Sequence, residues 1–422
     1  MHKRIGIIGL GTVGQAVLKS LSKYSSLIRR RTSLKIEVKK LCDIDKSKKN
    51  IAKRSGFPFS HDPLELINDP QIDIIVELIG GIEPAKTFIL EALKKGKDVV
   101  TANKALLATN GKQIFSLAEK KNKCVGFEAS VCGAIPIIKS ISEGLIGCEI
   151  KTIYGILNGT TNYILYKMHK ERIDFNSALK EAREKGLVER RSSLDIEGID
   201  ALHKLCILSY LCYGAWPSLS RVYTEGISKI SLLDILYAEE MDYKIKLLAI
   251  AKKNKGRLDL RVHPTLVSME HPLSHISLAY NAVYLDTYPA GELLFYGEGA
   301  GGVPTSSSVI SDIVSIASGN KDFMRKENKM SINNIKDIKS RYYIRFMAQD
   351  SPGVLADVSK ILASFNISIA SVSQKEQKSG KFVPVVIVTH EVKEDNIRKA
   401  IVKIDNLSKV KKPSQIIRIE DL

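Results

Sequence analysis

Hydrophobic and polar positions follow a regular pattern through the first third of the chain. Short apolar runs, RIGII at 4–8 and IEVKKL at 36–41, predict buried strands, and helical patterns separate them. Two more strand signals follow at 72–80 and 98–104. Strands that alternate with helices predict an α/β fold with a Rossmann-type doubly wound parallel sheet, which binds ligands at the carboxyl ends of its strands.

The middle of the chain has longer helical patterns and antiparallel strand signals. Residues 199–216 are apolar on nearly every face and predict a buried helix. A helix-like run covers 234–253, and strands are predicted at 260–269 and 283–288. Together these elements predict an α/β substrate-binding and dimerisation domain.

The last part of the chain has a pattern of its own. After a charged linker at 321–341, residues 342–422 have the order β-α-β-β-α-β, which is ferredoxin-like. A module of this kind can fold alone. We therefore predict a dinucleotide-binding domain at 1–135, completed by a returning segment at 296–320, a substrate domain at 136–295, and the C-terminal module.

Composition narrows the range of partners. The 422 residues carry a net charge of +18, which would suit a nucleic acid. However, lysine and arginine are spread along the whole chain and aromatic residues make up only 6%. We therefore expect a small anionic ligand and no nucleic acid. Six cysteines without a CxxC spacing indicate a reducing cytoplasm, and the lack of an 18-residue apolar run predicts no membrane segment.

A glycine-rich motif follows the first predicted strand. GLGTVG at 9–14 stands between a strand and a helix, where glycines permit a tight turn and a close approach to a pyrophosphate. Asp43 ends the second strand and is the candidate acceptor for the ribose hydroxyls of NAD. Lys46, Lys48 and Lys49 could instead bind the 2′-phosphate of NADP, or form a solvated loop. The choice between NAD and NADP stays open.

Asp200 and Lys204 are the most unusual pair in the sequence. They lie four residues apart in the predicted helix and share one of its faces. Buried charges are costly unless they are paired, so the two residues predict a pair that lines a cavity. A partly desolvated lysine can act as a general acid or base. The alternative is an ordinary salt bridge at a helix edge.

Four further segments carry candidate chemistry. Lys104 stands at the carboxyl end of the strand at 98–104, where a ligand is expected. Glu128 ends another apolar strand and could supply oxygen to a hard cation or have a structural role. The polar turn at 158–162 could line a ligand site, and the glycine loop and helix at 297–319 suit an anion or cofactor.

Several motifs occur together in one order along the chain. They are GLGTVG, DVVTANKALLA, FEASVCGAIPII, GILNGTTNYIL, GLVERRSSLDIEGIDALHKL and GEGAGGVPTSSSV. In this order they resemble the signatures of homoserine dehydrogenases. The tail, with YYIRFMAQDSPGVLADVSKIL and ISIASVSQ, resembles an ACT domain, a regulatory module. The resemblance covers nearly the whole chain.

The resemblance implies a reaction and roles for three residues. The reaction is the reversible NAD- or NADP-dependent interconversion of L-homoserine and L-aspartate 4-semialdehyde, on the route to threonine and methionine. Lys204 would donate a proton to the aldehyde oxygen, and Lys104 would assist it or contact the cofactor. Asp200 would hold Lys204 or the substrate hydroxyl.

Other positions match the binding residues of the family. The cofactor positions are Gly9, Gly11, Thr12, Val13, Gly14, Asp43, Lys104 and Gly301. The substrate positions are Gly186, Glu189, Asp195 and Asp200, with Glu189 on the amino group. A monovalent cation such as Na⁺ is implied at Glu128, Val131, Gly133 and Ile135. The resemblance also implies a threonine effector at the ACT domain and a homodimer or homotetramer.

The chain departs from the family pattern at three places. Arg191 and Ser192 replace an acidic residue and a proline after the substrate glutamate. Ala134 replaces a glycine in the cation loop, and Cys42 stands where NADP-preferring members carry arginine. The first change bears on substrate affinity, the second on the cation, and the third favours NAD.

Two rival functions follow from the same residues. One is a dehydrogenase of this architecture for another small amino-acid aldehyde. The other is a non-catalytic sensor that binds a nucleotide and responds to an amino acid. A sensor has no need for a paired Lys204 and Asp200 in a buried helix, so the sequence favours the enzyme.

Overall fold

The computed structural model describes residues 2–188, 193–320, 328–375 and 382–422. These residues form two compact units. The first unit consists of Met1–Gly159, Asp200–Ser220 and Tyr280–Lys329, and the second of Thr160–Ile199, Arg221–Ala279 and Met330–Leu422. Within the described ranges, no helix is long and apolar enough to cross a membrane.

The α-helices are numbered in chain order. They are α1 (Thr12–Thr32), α2 (Lys49–Ser55), α3 (Pro63–Asn68), α4 (Ala85–Lys94), α5 (Lys104–Lys120), α6 (Ile137–Lys139), α7 (Gly159–Glu171), α8 (Phe175–Glu184), α9 (Ser193–Ile196), α10 (Ile199–Tyr213), α11 (Leu232–Glu240), α12 (Gly302–Ala317), α13 (Val354–Ser364) and α14 (Glu394–Asp405).

The β-strands are numbered in the same way. They are β1 (His2–Ile8), β2 (Lys35–Cys42), β3 (Phe59–Ser60), β4 (Ile74–Glu77), β5 (Asp98–Thr101), β6 (Val125–Gly126), β7 (Glu149–Ile156), β8 (Tyr223–Thr224), β9 (Tyr243–Asn254), β10 (Arg257–Ser268), β11 (Tyr280–Tyr288), β12 (Gly291–Glu298), β13 (Ser331–Ile332), β14 (Lys339–Gln349), β15 (Ile369–Gln374), β16 (Phe382–Thr389), β17 (Val392–Lys393) and β18 (Val410–Glu420).

The first unit contains the predicted parallel sheet. Its strand order is β3-β2-β1-β4-β5-β6, and every neighbouring pair is parallel. The order reverses between β1 and β4, so the carboxyl ends of these two strands flank the crevice in which such sheets bind ligands. Ile5, Ile7 and Val76 are fully buried in its core. The prediction of a Rossmann-type sheet is confirmed.

Close backbone packing explains two glycines of the motif after β1. Gly9 has a φ of +101°, a region that favours glycine. A Cβ atom on Gly14 would lie 2.0 Å from the carbonyl oxygen of Gly9, so helix α1 can start only if residue 14 lacks a side chain. Helix α12 returns to this point, because a Cβ on Gly302 would lie 3.0 Å from Thr12.

The first unit also holds the predicted buried helix and three antiparallel strands, β7, β11 and β12. Helix α10 has only two partly exposed residues, and it ends near a stack in which the rings of Tyr210 and Trp216 are 4.3 Å apart. A Cβ on Gly111 would collide with Trp216 at 2.3 Å. Strand β11 pairs antiparallel with both β7 and β12. Strand β7 ends at Ile156, directly before residue 157, which belongs to the site described below.

The predicted helix-like run at 234–253 is wrong in its second half. Helix α11 ends at Glu240, Asp242 turns the chain with a φ of +61°, and residues 243–254 form β9. Strand β9 is buried on both faces from Ile245 to Ala251 and pairs antiparallel along its whole length with β10. A strand covered on both faces is apolar at successive positions, so its sequence lacks the alternation that distinguishes a strand from a helix.

The C-terminal module has the predicted order of elements. Strand β14 pairs with β16 and β18, and β15 pairs with β16, while α13 and α14 cover an apolar core. Strand β18 also pairs in parallel with β10, from Thr265 opposite Arg418 to Val267 opposite Glu420. This shared strand argues against the expectation that the module folds alone. Of the predicted linker, residues 331–332 and 339–341 belong to strands, and 321–327 lie outside the described residues.

Buried ion pairs accompany this shared strand in the second unit. Arg261 on β10 contacts Glu420 on β18, and both side chains are almost fully buried. Arg345 on β14 donates to Asp234 at 2.6 Å, and Asp234 also forms a reciprocal cap with Ser231 at the start of α11. Removing one member of such a pair leaves an uncompensated charge in the interior.

We expect Arg345→Ala to lower the free energy of unfolding by about 3–5 kcal/mol, because Asp234 would stay buried without its cation. Arg341→Ala on the same strand is the matched control, since its pair with Asp421 is exposed and should contribute about 0–1 kcal/mol. Urea unfolding followed by circular dichroism measures both. Equal changes in the two variants would contradict the prediction.

The glycine motif offers a second matched pair of variants. Gly14→Ala places a methyl group against the Gly9 carbonyl, so we expect a clear loss of thermal stability. Gly11 has a φ of −70°, and a Cβ added there would have no other atom within 4 Å, so Gly11→Ala should melt like the wild type. It should nevertheless bind dinucleotide more weakly, because the methyl group obstructs the approach of a pyrophosphate. Calorimetric melting and dinucleotide titration test both; unchanged binding by Gly11→Ala would contradict the predicted phosphate position.

Candidate active site

Lys204 and Asp200 form a buried ion pair on helix α10. The Lys204 Nζ lies 2.8 Å from Asp200 Oδ2, and it donates a second hydrogen bond to the Leu157 carbonyl at 2.5 Å. The exposed fractions of Lys204 and Asp200 are only 6% and 7%. A lysine ammonium has three donors, so these two acceptors leave one donor for a ligand.

Asp200 is shared between two lysines. Its Oδ1 lies 2.9 Å from the Nζ of Lys104, and its Oδ2 also accepts from Asn158 Nδ2 at 2.9 Å. Burial alone would raise the pKa of Asp200, but the charges of Lys204 and Lys104 and the hydrogen bonds hold it well below the ordinary value. The structure thus brings together Lys104, Asp200 and Lys204, three residues that the sequence analysis singled out.

A hydrogen-bond network that the sequence analysis did not identify positions Lys104. The Asn103 side chain caps α5 by accepting from the Leu106 N–H, and Lys104 is the first residue of that helix. The Asn103 N–H donates to Thr101 Oγ1, and Thr101 donates to Glu77 Oε2 at 2.7 Å. Burial raises the pKa of Glu77, although several hydrogen bonds oppose this. The one signal in the sequence was a carboxylate at the end of an apolar strand.

Asn281 on β11 is a second residue that was missed. Its Nδ2 donates to the Leu157 carbonyl at 2.9 Å, the same oxygen that accepts from Lys204. Gly299 gives it room, because a Cβ there would lie 2.1 Å from the Asn281 side chain. Asn281 therefore helps to hold the carbonyl that orients Lys204. A single buried polar residue within a strand gave no signal in the sequence.

Backbone N–H groups and the carboxylate of Asp312 surround Glu128. Its carboxylate accepts from the Ile138 and Lys139 N–H groups at 2.8 and 2.9 Å, and its own N–H donates to Asp312 at 2.8 Å. Burial and the nearby Asp312 raise the pKa of Glu128 to about 7. Burial raises the pKa of Asp312 to about 6, although Lys139 lies 3.4 Å away and opposes it.

The loop after Glu128 can be compared with the needs of a small cation. Val131, Gly133 and Ile135 are all buried, and Gly133 has a φ of +53°. The Gly133 carbonyl accepts from Ser308 Oγ at 2.6 Å, but a carbonyl has two lone pairs and can also face a cation. Backbone carbonyls are suitable ligands for a hard ion. Each oxygen of the Glu128 carboxylate accepts one N–H and the Gly133 carbonyl accepts one O–H, so both kinds of oxygen keep a lone pair that could face a cation.

Asp43 forms a hydrogen bond with the glycine loop. One carboxylate oxygen accepts from the Leu10 N–H at 2.7 Å and the other from the Asp45 N–H at 2.9 Å. Asp43 therefore fixes the loop that starts α1. A ribose hydroxyl could use only the lone pairs that these two bonds leave.

The other cofactor positions lie at two helix N-termini of the first unit. Thr12 and Val13 begin α1, and Gly301 precedes α12 with a φ of +120°. The helices meet at this end, where Gly302 approaches Thr12. Two helix N-termini present N–H groups and positive dipole ends, an arrangement that suits a pyrophosphate.

The remaining substrate positions lie in the second unit. Gly186 follows α8 with a φ of +69°, and Asp195 lies in the short helix α9. Thr160 at the start of α7 donates to the Leu187 carbonyl at 2.8 Å. Glu189, Arg191 and Ser192 lie outside the described residues, so their predicted roles stay predictions.

Family models match nearly all of the chain. The model described as "Homoserine dehydrogenase, NAD binding domain" matches residues 9–128, and the one described as "Homoserine dehydrogenase" matches 136–314. An ACT domain model matches residues 342–406. The first two ranges contain Lys104, Asp200 and Lys204, and the third lies in the ferredoxin-like module.

Known proteins are similar over the full length. The chain is 41% identical to a homoserine dehydrogenase of Neisseria gonorrhoeae in an alignment of 430 positions that covers 99% of this chain and 98% of that protein. A crystal structure of a homoserine dehydrogenase from Thiobacillus denitrificans is 39% identical, has a TM-score of 0.94, and covers 100% of this chain and 99% of its own. A hyperthermophilic archaeal homoserine dehydrogenase in complex with NADPH is 29% identical, with a TM-score of 0.66, over 77% of this chain and 100% of its own. This chain therefore belongs to the homoserine dehydrogenases, oxidoreductases that act on a CH–OH group with NAD(P).

Proposed function

We propose that the protein interconverts L-homoserine and L-aspartate 4-semialdehyde reversibly, in the biosynthesis of threonine and methionine. The observation that carries the proposal is the buried pair of Lys204 and Asp200, whose second carboxylate oxygen is paired with the partly exposed Lys104. It provides a buried proton donor, Lys204. The bound NAD(P) would supply or accept the hydride.

Lys204 is proposed as the proton donor. With two of its donors on Asp200 and the Leu157 carbonyl, the third N–H can reach the aldehyde oxygen of the substrate. As hydride arrives at the aldehyde carbon, the oxygen gains negative charge and takes the proton from Nζ. In the reverse direction, neutral Lys204 takes the proton of the hydroxyl group.

Asp200 and Lys104 are proposed to keep Lys204 ready for this step. Because the pKa of Asp200 is held low, its carboxylate stays negative and holds the Lys204 Nζ in place by a hydrogen bond of 2.8 Å. Lys104 adds a second positive charge near the developing oxyanion. Glu189 is proposed to bind the substrate ammonium, with Gly186 and Asp195 as further substrate contacts.

The cofactor and cation assignments extend the proposal. The N-termini of α1 and α12 are proposed to hold the pyrophosphate, through Gly11, Thr12, Val13 and Gly301, and both NAD and NADP are candidates. Cys42, which replaces a family arginine, favours NAD. A monovalent cation such as Na⁺ is proposed at the carbonyls of the 128–135 loop.

Regulation and assembly complete the proposal. Threonine is the proposed effector of the ACT domain, and a homodimer or homotetramer is the proposed assembly. One observation supports an effector at the loop between β14 and α13. Among the described residues, the Ser351 Oγ is buried without a hydrogen-bond partner, and an unsatisfied buried hydroxyl is costly unless a ligand or water pairs with it.

The first test is homoserine-dependent reduction of NAD and of NADP by the purified protein. We expect turnover with at least one cofactor, and a ratio of kcat/KM that ranks the two. Serine serves as the control substrate, because it has the same functional groups on a shorter side chain. Turnover on another hydroxy amino acid but none on homoserine would contradict the proposed substrate.

We expect Lys204→Met to lower kcat by about 10²–10⁴-fold, because methionine preserves the shape of the side chain but cannot transfer a proton. Dinucleotide binding should stay near the wild-type value, since Lys204 is not placed on the cofactor. Steady-state kinetics and fluorescence titration measure the two quantities. Full turnover by a folded Lys204→Met variant would refute the proton-donor role.

We expect threonine to inhibit the wild type. Ser351→Ala should require about tenfold more threonine for the same inhibition, because the variant loses one hydrogen bond to the effector. Activity without threonine should not change, because the substitution removes a hydroxyl that has no protein partner among the described residues. The measurement is the initial rate at increasing threonine concentration. Equal sensitivity of the two proteins would move the effector site away from this loop.

A further inference from the structure

The second unit contains a cavity that none of the residues proposed for the reaction line. Its volume is about 440 Å³, within the range of sites for small metabolites. Leu165, Ile235 and Ile245 give it an apolar wall, while Ser274 and Ser277 contribute hydroxyl groups. The remaining lining is rich in charged side chains.

Lys246 is the most buried charged group of this lining. Only 4% of its surface is exposed, and its Nζ donates to the Ile276 carbonyl at 2.5 Å and to Asn162 Oδ1 at 3.2 Å. Both acceptors are neutral. Among the described residues, these two bonds use two of the three N–H donors of Lys246. A buried ammonium held by neutral groups lacks the counter-charge that such a group normally requires.

The other charges around the cavity do not supply that counter-charge. Lys170, Arg172 and Lys244 also line it, and of the lining residues that the structure describes, Glu239 alone has a carboxylate. Glu239 is paired with Arg172, and His169 Nε2 lies 3.9 Å from it. With three permanent cations against one engaged carboxylate, the cavity has a positive potential.

The titration of Lys246 agrees with this charge balance. Burial, with a smaller effect of Lys244, lowers the pKa of Lys246 to about 7. His169 has its pKa lowered by burial as well, while Glu239 opposes that shift. An anion bound beside these groups would favour their charged forms and raise both pKa values.

We propose that this cavity binds a small organic anion, whose carboxylate or phosphate group is held by Lys246 and Lys244 and whose carbon skeleton lies against Leu165 and Ile235. Lys244 and Lys246 are two residues apart on β9 and therefore point to the same face of the strand. Two cations on one face, together with the hydroxyl groups of the lining, match the several oxygens of such a group.

The test uses isothermal titration calorimetry of the full-length protein with succinate and with inorganic phosphate. Sodium chloride at equal ionic strength is the control for non-specific screening. We expect saturable binding with a dissociation constant of about 1 mM or tighter for at least one probe. Tighter binding of succinate would identify the head group as a carboxylate, and tighter binding of phosphate as a phosphate.

Proton uptake gives a second, independent measurement. Titrations in buffers of different ionisation enthalpy should show uptake approaching one proton at about pH 8, where Lys246, with a pKa of about 7, is largely neutral. At about pH 6 Lys246 is already charged, so its uptake should be small. Lys246→Met should abolish the uptake at the higher pH, which separates Lys246 from His169.

Three variants locate the site. Lys246→Met and Lys244→Gln should each weaken binding about tenfold or more, the loss expected for a hydrogen bond to a charged group. Lys253→Gln, an exposed position on the same strand, should bind like the wild type. If Lys246→Met does not fold, the binding measurement on Lys244→Gln tests the proposal alone. Lys244 is only partly buried, so this substitution should not prevent folding. No saturable binding, or equal affinity in Lys244→Gln and the wild type, would overturn the proposal.

Discussion

Asp200 is the charge around which the reactive part of the first unit is built. A carboxylate at 7% exposure would be strongly destabilising by itself, yet it has a lysine on each oxygen and an amide from Asn158. Lys204 is buried with Asp200, whereas the side chain of Lys104 is 41% exposed and reaches Asp200 from the solvent side. Removing Asp200 would therefore leave the Lys204 ammonium buried without its counter-charge.

The scaffold supports this pair from two sides within the first unit. Helix α5 presents Lys104 because Asn103 caps it, and Asn103 is held through Thr101 by Glu77 at the end of β4. Asn281 on β11 fixes the carbonyl to which Lys204 donates. Neutral polar groups thus orient the charged ones. The neutral groups lie at the carboxyl ends of parallel strands or on strand β11. Their contribution is geometric precision rather than charge.

The second unit joins β10 to the C-terminal module through one continuous set of hydrogen bonds. Strand β18 of the ACT domain pairs with β10, and Arg261, Arg345 and their carboxylate partners are buried along this junction. A change in the position of β18 or β14 would therefore disturb buried ion pairs of β10 and α11. A structural path of this kind is what an effector site in the module would need in order to influence the rest of the unit.

The sequence by itself determined the features that depend on neighbouring residues: the strand–glycine–helix start of the parallel sheet, the buried helix α10 and the pairing of Asp200 with Lys204. These follow from local periodicity and from the i, i+4 spacing. Only the tertiary structure decided that Lys104 meets Asp200, that Asp43 holds the glycine loop and that residues 243–254 form a strand. It also decided that Lys246 is buried with two neutral hydrogen-bond acceptors and, among the residues that the structure describes, no carboxylate partner. These contacts join residues far apart in the chain, and the pattern of one segment contains no information about which distant segment packs against it.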